Sequence, residues 1–111
     1  MNPSPLMDCY GYPAEETEKV IREWGNDWLG LMDYVRAAWW MPDWGWTQSD
    51  TLNDLGLPVR RYEISTGGWS GNESLISAME GNRMFQMFCW VQSRRGGHYI
   101  YEVRTPETET L

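Results

Sequence analysis

Between Ile21 and Trp39 large apolar residues fall at Ile21, Trp24, Trp28, Leu31, Val35 and Trp39, each three or four positions after the last. That period places them on one stripe of an α-helix, with Lys19, Glu23, Asp27, Asp33 and Arg36 largely off it. The spacing predicts a helix from about Ala14 to Trp40. Pro13 suits its entry, and Glu15, Glu16 and Glu18 complement the positive end of its dipole. Gly25-Asn26-Asp27 interrupts the stripe. Glycine costs about 1 kcal/mol inside a helix, and Asn or Asp beside it can cap a new one, so the stretch is kinked there or splits into two helices. Pro42 excludes helical backbone at the preceding residue, which sets the last turn at Trp40 or Met41.

Downstream, Asp50 is expected to cap a short helix through Leu55, stopped by Gly56 and Pro58. Val59–Ser65 reads as a strand, with Tyr62 and Ile64 on one face and Arg61 and Glu63 on the other. Ser70-x-x-Glu73 is a capping-box pattern ahead of Leu75, Ile76 and Met79, which predicts a short helix from about Gly71 to Glu80, ended by Gly81-Asn82. In Met84–Ser93 the residues Phe85, Met87, Cys89 and Val91 alternate, as in a buried strand. Arg95-Gly96-Gly97 makes a tight turn into a return strand, His98–Arg104, with Tyr99, Tyr101 and Val103 opposed to His98, Ile100 and Glu102. The expected architecture is α+β: a three-stranded antiparallel sheet packed against one long N-terminal helix, with one or two short helices. Residues 1–13 form an irregular lead-in, with Leu6, Met7, Tyr10 and Tyr12 as its packing side chains. Residues 14–104 form a single α+β domain, and residues 105–111 a frayed tail.

A chain of 111 residues fits one domain, which buries roughly two-thirds of its unfolded surface. Eight tryptophans and six tyrosines are more than such a core needs. Those left outside point to a partner or ligand. The net charge of −7 argues against a nucleic-acid backbone binder and against anionic membranes, and permits steered binding to a basic protein. Simple solubility is the plainer account of that charge. No apolar run approaches the roughly twenty residues that span a bilayer, and the first residues do not read as a signal peptide, so a cytoplasmic protein is expected. Cys9 and Cys89 lack metal-type spacing, and there is one histidine. No metal set and no cofactor is expected; the cysteines read as reduced thiols, with a disulfide between them left open.

Three constellations carry candidate chemistry. The turn Gly67-Gly68-Trp69-Ser70-Gly71-Asn72-Glu73 can present backbone N–H groups to an anion, with Ser70 and Asn72 as donors and Trp69 as a stacking ring. The plainer reading is turn geometry plus a helix cap. Arg94 and Arg95, beside a Gly-Gly hairpin, can grip a phosphate or carboxylate, and His98 can add a hydrogen bond. Solvation, or pairing with Glu73 or Glu102, is the alternative. In Trp39-Trp40-Met41-Pro42-Asp43-Trp44-Gly45-Trp46, four tryptophans in eight residues exceed what one helix face buries, so at least one should reach the surface. Ser70, His98 and Glu73 or Asp43 hold the residue types of a nucleophilic relay, but their spacing matches no hydrolase elbow, which leaves a non-enzymatic protein as the expectation.

The same segments, with Ile64-Ser65-Thr66-Gly67-Gly68-Trp69-Ser70-Gly71-Asn72-Glu73 and Ser93-Arg94-Arg95-Gly96-Gly97-His98-Tyr99, resemble a family of small uncharacterised proteins encoded by bacteriophages and prophages. The resemblance covers most of residues 14–104 and implies a phage accessory product made in a bacterial cytoplasm; it carries over no activity. Two functions are therefore expected in competition. One is a binding protein that holds a small anionic, nucleotide-like ligand between the Gly67–Glu73 turn and the Arg94–His98 hairpin, through Trp46, Trp69, Ser70, Asn72, Arg94, Arg95 and His98. The other is an inhibitor of a host defence nuclease or effector, anti-CRISPR-like by analogy of size and charge, acting through an acidic, tryptophan-rich surface. The sequence leaves a homo-oligomer open.

Overall fold

The helical stripe is broken where Gly25-Asn26-Asp27 predicts. A computed structural model describes residues 13–105, so expectations for the lead-in, the tail and Cys9 lie outside the described residues. The stripe forms two helices rather than one long one: α1 (Glu15–Glu23) and α2 (Trp28–Ala38). Asn26 adopts a left-handed φ of 67°. Asp27 then caps α2, its side chain accepting from the Gly30 N–H at 3.0 Å. Both helices keep the stripe inward: Ile21, Leu31, Met32 and Val35 are fully buried.

Trp39 leaves the helix in extended backbone, Met41 turns left-handed, and a one-turn helix α3 (Pro42–Gly45) runs straight into strand β1 (Trp46–Leu52). The helix expected from Asp50 to Leu55 is thus a strand and a turn. Asp50 instead meets Arg60 across the ladder, Nε to Oδ1 at 2.8 Å. Asn53 accepts from the Leu55 and Leu57 N–H groups at 2.8 and 3.0 Å, closing the hairpin into β2 (Pro58–Ser65). β1 escapes a pattern search because it is an edge strand among the described residues, with both faces largely in water, so nothing forces apolar alternation on it.

Helix α4 (Ser70–Glu80) lies where the capping pattern puts it, but Trp69 is its N-cap residue and no side chain caps it. Met84–Ser93 is not the single buried strand expected. It divides into α5 (Arg83–Cys89) and a short strand β3 (Trp90–Arg94), followed by β4 (His98–Arg104). Asn82 decides this: its side chain accepts from the Phe85 N–H at 3.1 Å and starts a helix, which buries Phe85 and Cys89 and leaves Met87 exposed.

The sheet therefore has four antiparallel strands, ordered β1-β2-β4-β3, not three. Tyr62, Ile64, Tyr101 and Val103 face the helices and join one core with Ile21, Leu31, Val35, Trp39, Trp46, Leu75, Met79 and Phe85. The expected faces of β2 and β4 are both found. Asn82 also ties the far end of α1 to this core, its Nδ2 donating to the Ile21 and Trp24 carbonyls at 2.9 and 2.8 Å. No described helix is long and apolar enough to cross a membrane.

Candidate functional site

The two glycine turns meet. β2 and β4 pair as far as Ser65 and His98, and the Thr66 N–H donates to the Gly97 carbonyl at 3.0 Å. Gly67, Gly68, Gly96 and Gly97 all have φ between 65° and 90°, a region that costs other residues about 1–2 kcal/mol. At Gly97 the crowding is steric as well, since a Cβ there would run into Thr66 Oγ1. Thr66 also accepts from the Gly68 N–H at 3.3 Å and reaches Glu73 Oε2 at 3.5 Å.

From this junction the side chains diverge. Arg94 lies in register with His98, which lies in register with Ser65. All three alternate onto the sheet face away from the helices. There Ser65 Oγ sits 2.7 Å from His98 Nδ1, and His98 Nε2 lies 3.8 Å from Glu63. Arg61 bridges Glu63 at 2.8 Å and Glu102 at 2.6 Å, so Glu102 pairs with Arg61. The hydrogen bond from Arg61, with lesser help from the nearby charges of His98 and Arg94, holds the Glu63 carboxyl below its usual range against a desolvation that opposes it. Arg94 Nε donates to Gln92 at 3.1 Å, and Arg95 is exposed at the hairpin tip. Ser65, His98 and Glu63 hold the residue types of a relay, but they line neither cavity described below. They act as cross-strand hydrogen bonds on the half-buried sheet face away from the helices.

On the other side of the junction lies an aromatic notch of about 250 Å³, walled by Trp40, Met41, Trp44, Trp69, Asn72 and the Thr66–Gly68 backbone. Trp40 stacks on Trp69, with ring centroids 5.3 Å apart and planes at 27°. Trp44 lies over Gly67, where a Cβ would come within 2.8 Å of its ring. Asn72, almost fully buried, holds the wall together. Its Oδ1 accepts from the Trp40 N–H at 2.8 Å, and its Nδ2 donates to the Trp40 and Thr66 carbonyls at 3.1 and 3.4 Å. No charged side chain lines the notch.

Of the residues singled out from sequence, Trp69 and Asn72 stand in this notch. Arg94, Arg95 and His98 are not on its walls, Ser70 is exposed at the start of α4, and Trp46 is core. Trp46 packs edge-on against Trp39 and Tyr62, and its indole N–H donates to Gln48 at 2.8 Å. Trp40 and Trp44 are the side chains the sequence left unassigned within its four-tryptophan run. A signal was present for Trp40: Trp39 continues the helical stripe to the core, so its neighbour must point elsewhere.

A wider groove of about 620 Å³ lies elsewhere, among Trp28, Leu29, Phe88, Cys89, Val103 and Arg104. Burial pushes the Cys89 thiol up to about 12, which makes it a poor nucleophile. Among the described residues no group of His, Cys, Asp and Glu could hold a metal ion. No protein-family model, curated protein or solved structure matches this chain.

Proposed function

We propose that this protein is a non-enzymatic binding module that engages a basic protein partner, receiving an arginine or lysine side chain in the notch of Trp40, Trp44 and Trp69. The uncharged, indole-walled surface of that notch carries the reading. Indole faces attract guanidinium and ammonium groups by about 0.5–2 kcal/mol each, more as water is excluded. The Met41 thioether is soft and adaptable. Trp40 and Trp44 are 41% and 67% exposed, so a partner reaches them without unfolding anything. A net charge of −7 steers a basic surface toward the protein. The volume of about 250 Å³ fits one side-chain head and lies below the roughly 300–1,000 Å³ of pockets that enclose a drug-sized molecule.

A nucleotide-like anion held between the two turns would need Arg94, Arg95 or His98 to reach an aromatic wall, and none of them lines the notch. By analogy of size and charge alone, a host defence nuclease or effector, whose nucleic-acid-binding surface is basic, is a class of partner that suits this reading.

Titration with a hexa-arginine peptide, followed by tryptophan fluorescence, tests this. Saturable binding that weakens about tenfold in Trp44→Ala and falls with added salt is expected. Binding unchanged in both Trp40→Ala and Trp44→Ala overturns the proposal. So does binding of a nucleoside triphosphate that Arg94→Ala and Arg95→Ala abolish while the peptide fails to bind.

A further inference from the structure

Helix α5 carries apolar side chains on both its buried and its exposed face. Phe85 and Cys89, four residues apart, point to the core, while Met84, Met87 and Phe88, at spacings of three and one, are 53%, 73% and 61% exposed. β3 follows without a loop, and all five of its residues are exposed, Trp90 and Val91 included. β3 ends the sheet order, with β4 as its one strand neighbour among the described residues. Among the described residues no strand pairs with the backbone groups of its outer edge. An apolar stripe beside an open strand edge invites pairing, and natural sheets suppress it with charge, proline or cover where it has no use.

The charge pattern is also particular to this place. Gly81–Gly97 contains Arg83, Arg94 and Arg95 and no Asp or Glu, so this stretch carries +3 while all other positions together carry −10, giving the net −7. We propose that α5 and β3 form a docking surface for an extended acidic segment of a partner protein, added as a fifth strand along β3. Strand geometry fixes its pattern. Trp90 pairs with Tyr101, which faces the helices, and Arg94 pairs with His98, on the opposite face. Residues of an added strand alternate between those faces. Its apolar side chains thus meet Trp90 and the Met87–Phe88 stripe, and its carboxylates meet Arg94 and Arg95. A second copy is the poorer occupant, because a two-fold β3–β3 pairing brings two +3 stretches together, and like charges in an interface cost affinity. The surface shares no residue with the tryptophan notch and stands independently of it.

The test is fluorescence anisotropy with a labelled peptide in which glutamate alternates with valine and phenylalanine, on the whole chain. Saturable binding is expected, lowered by salt and at least about tenfold weaker in Phe88→Asp and in Arg94→Glu, both solvent-facing changes checked for an unaltered melting temperature. Trp44→Ala should bind the peptide as the parent protein does. Equal binding of a lysine-for-glutamate peptide would overturn the charge rule. Equal binding of a peptide N-methylated at alternate amides would overturn strand addition. Wild-type affinity in Phe88→Asp, or no binding at all, removes the proposal. A salt-indifferent dimer in sedimentation that Phe88→Asp dissociates would replace it with self-association.

Discussion

Replacing Asn72 with alanine is expected to destabilise the protein by about 2–3 kcal/mol. The side chain makes three hydrogen bonds, at 2.8, 3.1 and 3.4 Å, to backbone groups 32 and 6 residues away in sequence. Each net bond is worth about 1 kcal/mol, and a partner left buried without one costs about 1–3. Trp40 is partly exposed, so its N–H and carbonyl regain water and their cost lies at the low end. Thr66 is 2% exposed, but its carbonyl still accepts from the Trp69 N–H at 3.1 Å, so its cost also lies at the low end and the loss comes mainly from the three bonds themselves. For a domain of this size the change corresponds to a fall in Tm of roughly 10–15 °C. Urea unfolding followed by tryptophan fluorescence measures it, with an unchanged slope as the control for a two-state comparison. Asn72→Asp supplies a second arm. It keeps the acceptor for Trp40 N–H but faces a carboxylate with two carbonyl oxygens, which raises its folded pKa above the ordinary value of about 3.9. The variant's stability is then greatest below that value and is lost as pH rises through the folded pKa. A loss under about 0.5 kcal/mol for Asn72→Ala, or a pH-independent Asn72→Asp deficit, refutes the reasoning.

Asn82→Ala removes the α5 cap and the two bonds to the Ile21 and Trp24 carbonyls; a loss of about 2–3 kcal/mol in the same urea assay is expected, and a surface-like effect would contradict it. Gly67→Ala meets both a φ of 65° and the Trp44 ring, so it should cost about 1–2 kcal/mol and swing Trp44 outward, seen as faster collisional quenching of its fluorescence; unaltered quenching speaks against the notch geometry. Burial pushes the Cys89 thiol and the Tyr62 phenol each up to about 12 and raises Tyr101 as well. Unfolded, these groups ionise near their ordinary values of about 8.5 and 10. Their stabilising effect is complete below about pH 8.5 and is lost as pH rises toward about 12, so the urea midpoint should fall steeply above about pH 9; a flat midpoint to about pH 11 would sink this.

The parts of the fold visible in the sequence are those where burial on one side imposes a period. Tyr62 and Ile64, and Tyr99, Tyr101 and Val103, are legible because one face of each strand meets helices. The break at Gly25-Asn26-Asp27 is legible because caps have a chemistry. Met84–Ser93 misled because Phe85 and Cys89 satisfy a helical spacing and an alternating one at once, and the arbiter was a single amide at Asn82. β1 was illegible because polar residues in water leave no period to read. Within the site, Trp69 and Asn72 were found from turn chemistry. The sequence showed that tryptophans near Trp40 were in excess without showing which of them the left-handed Met41 turns outward. The separation of Arg94 from Trp69 depends on sheet alternation on either side of one shared junction, which only the register reveals.

The stacked Trp40 and Trp69 indoles are close enough for their electronic transitions to mix. Coupled chromophores split their absorption into paired bands of opposite circular polarisation, so this protein should carry a far-ultraviolet signature that helices and strands alone do not produce. Secondary-structure content deduced from such a spectrum will be distorted. The same signature makes the pair an internal optical gauge of whether the notch is assembled, readable without any label.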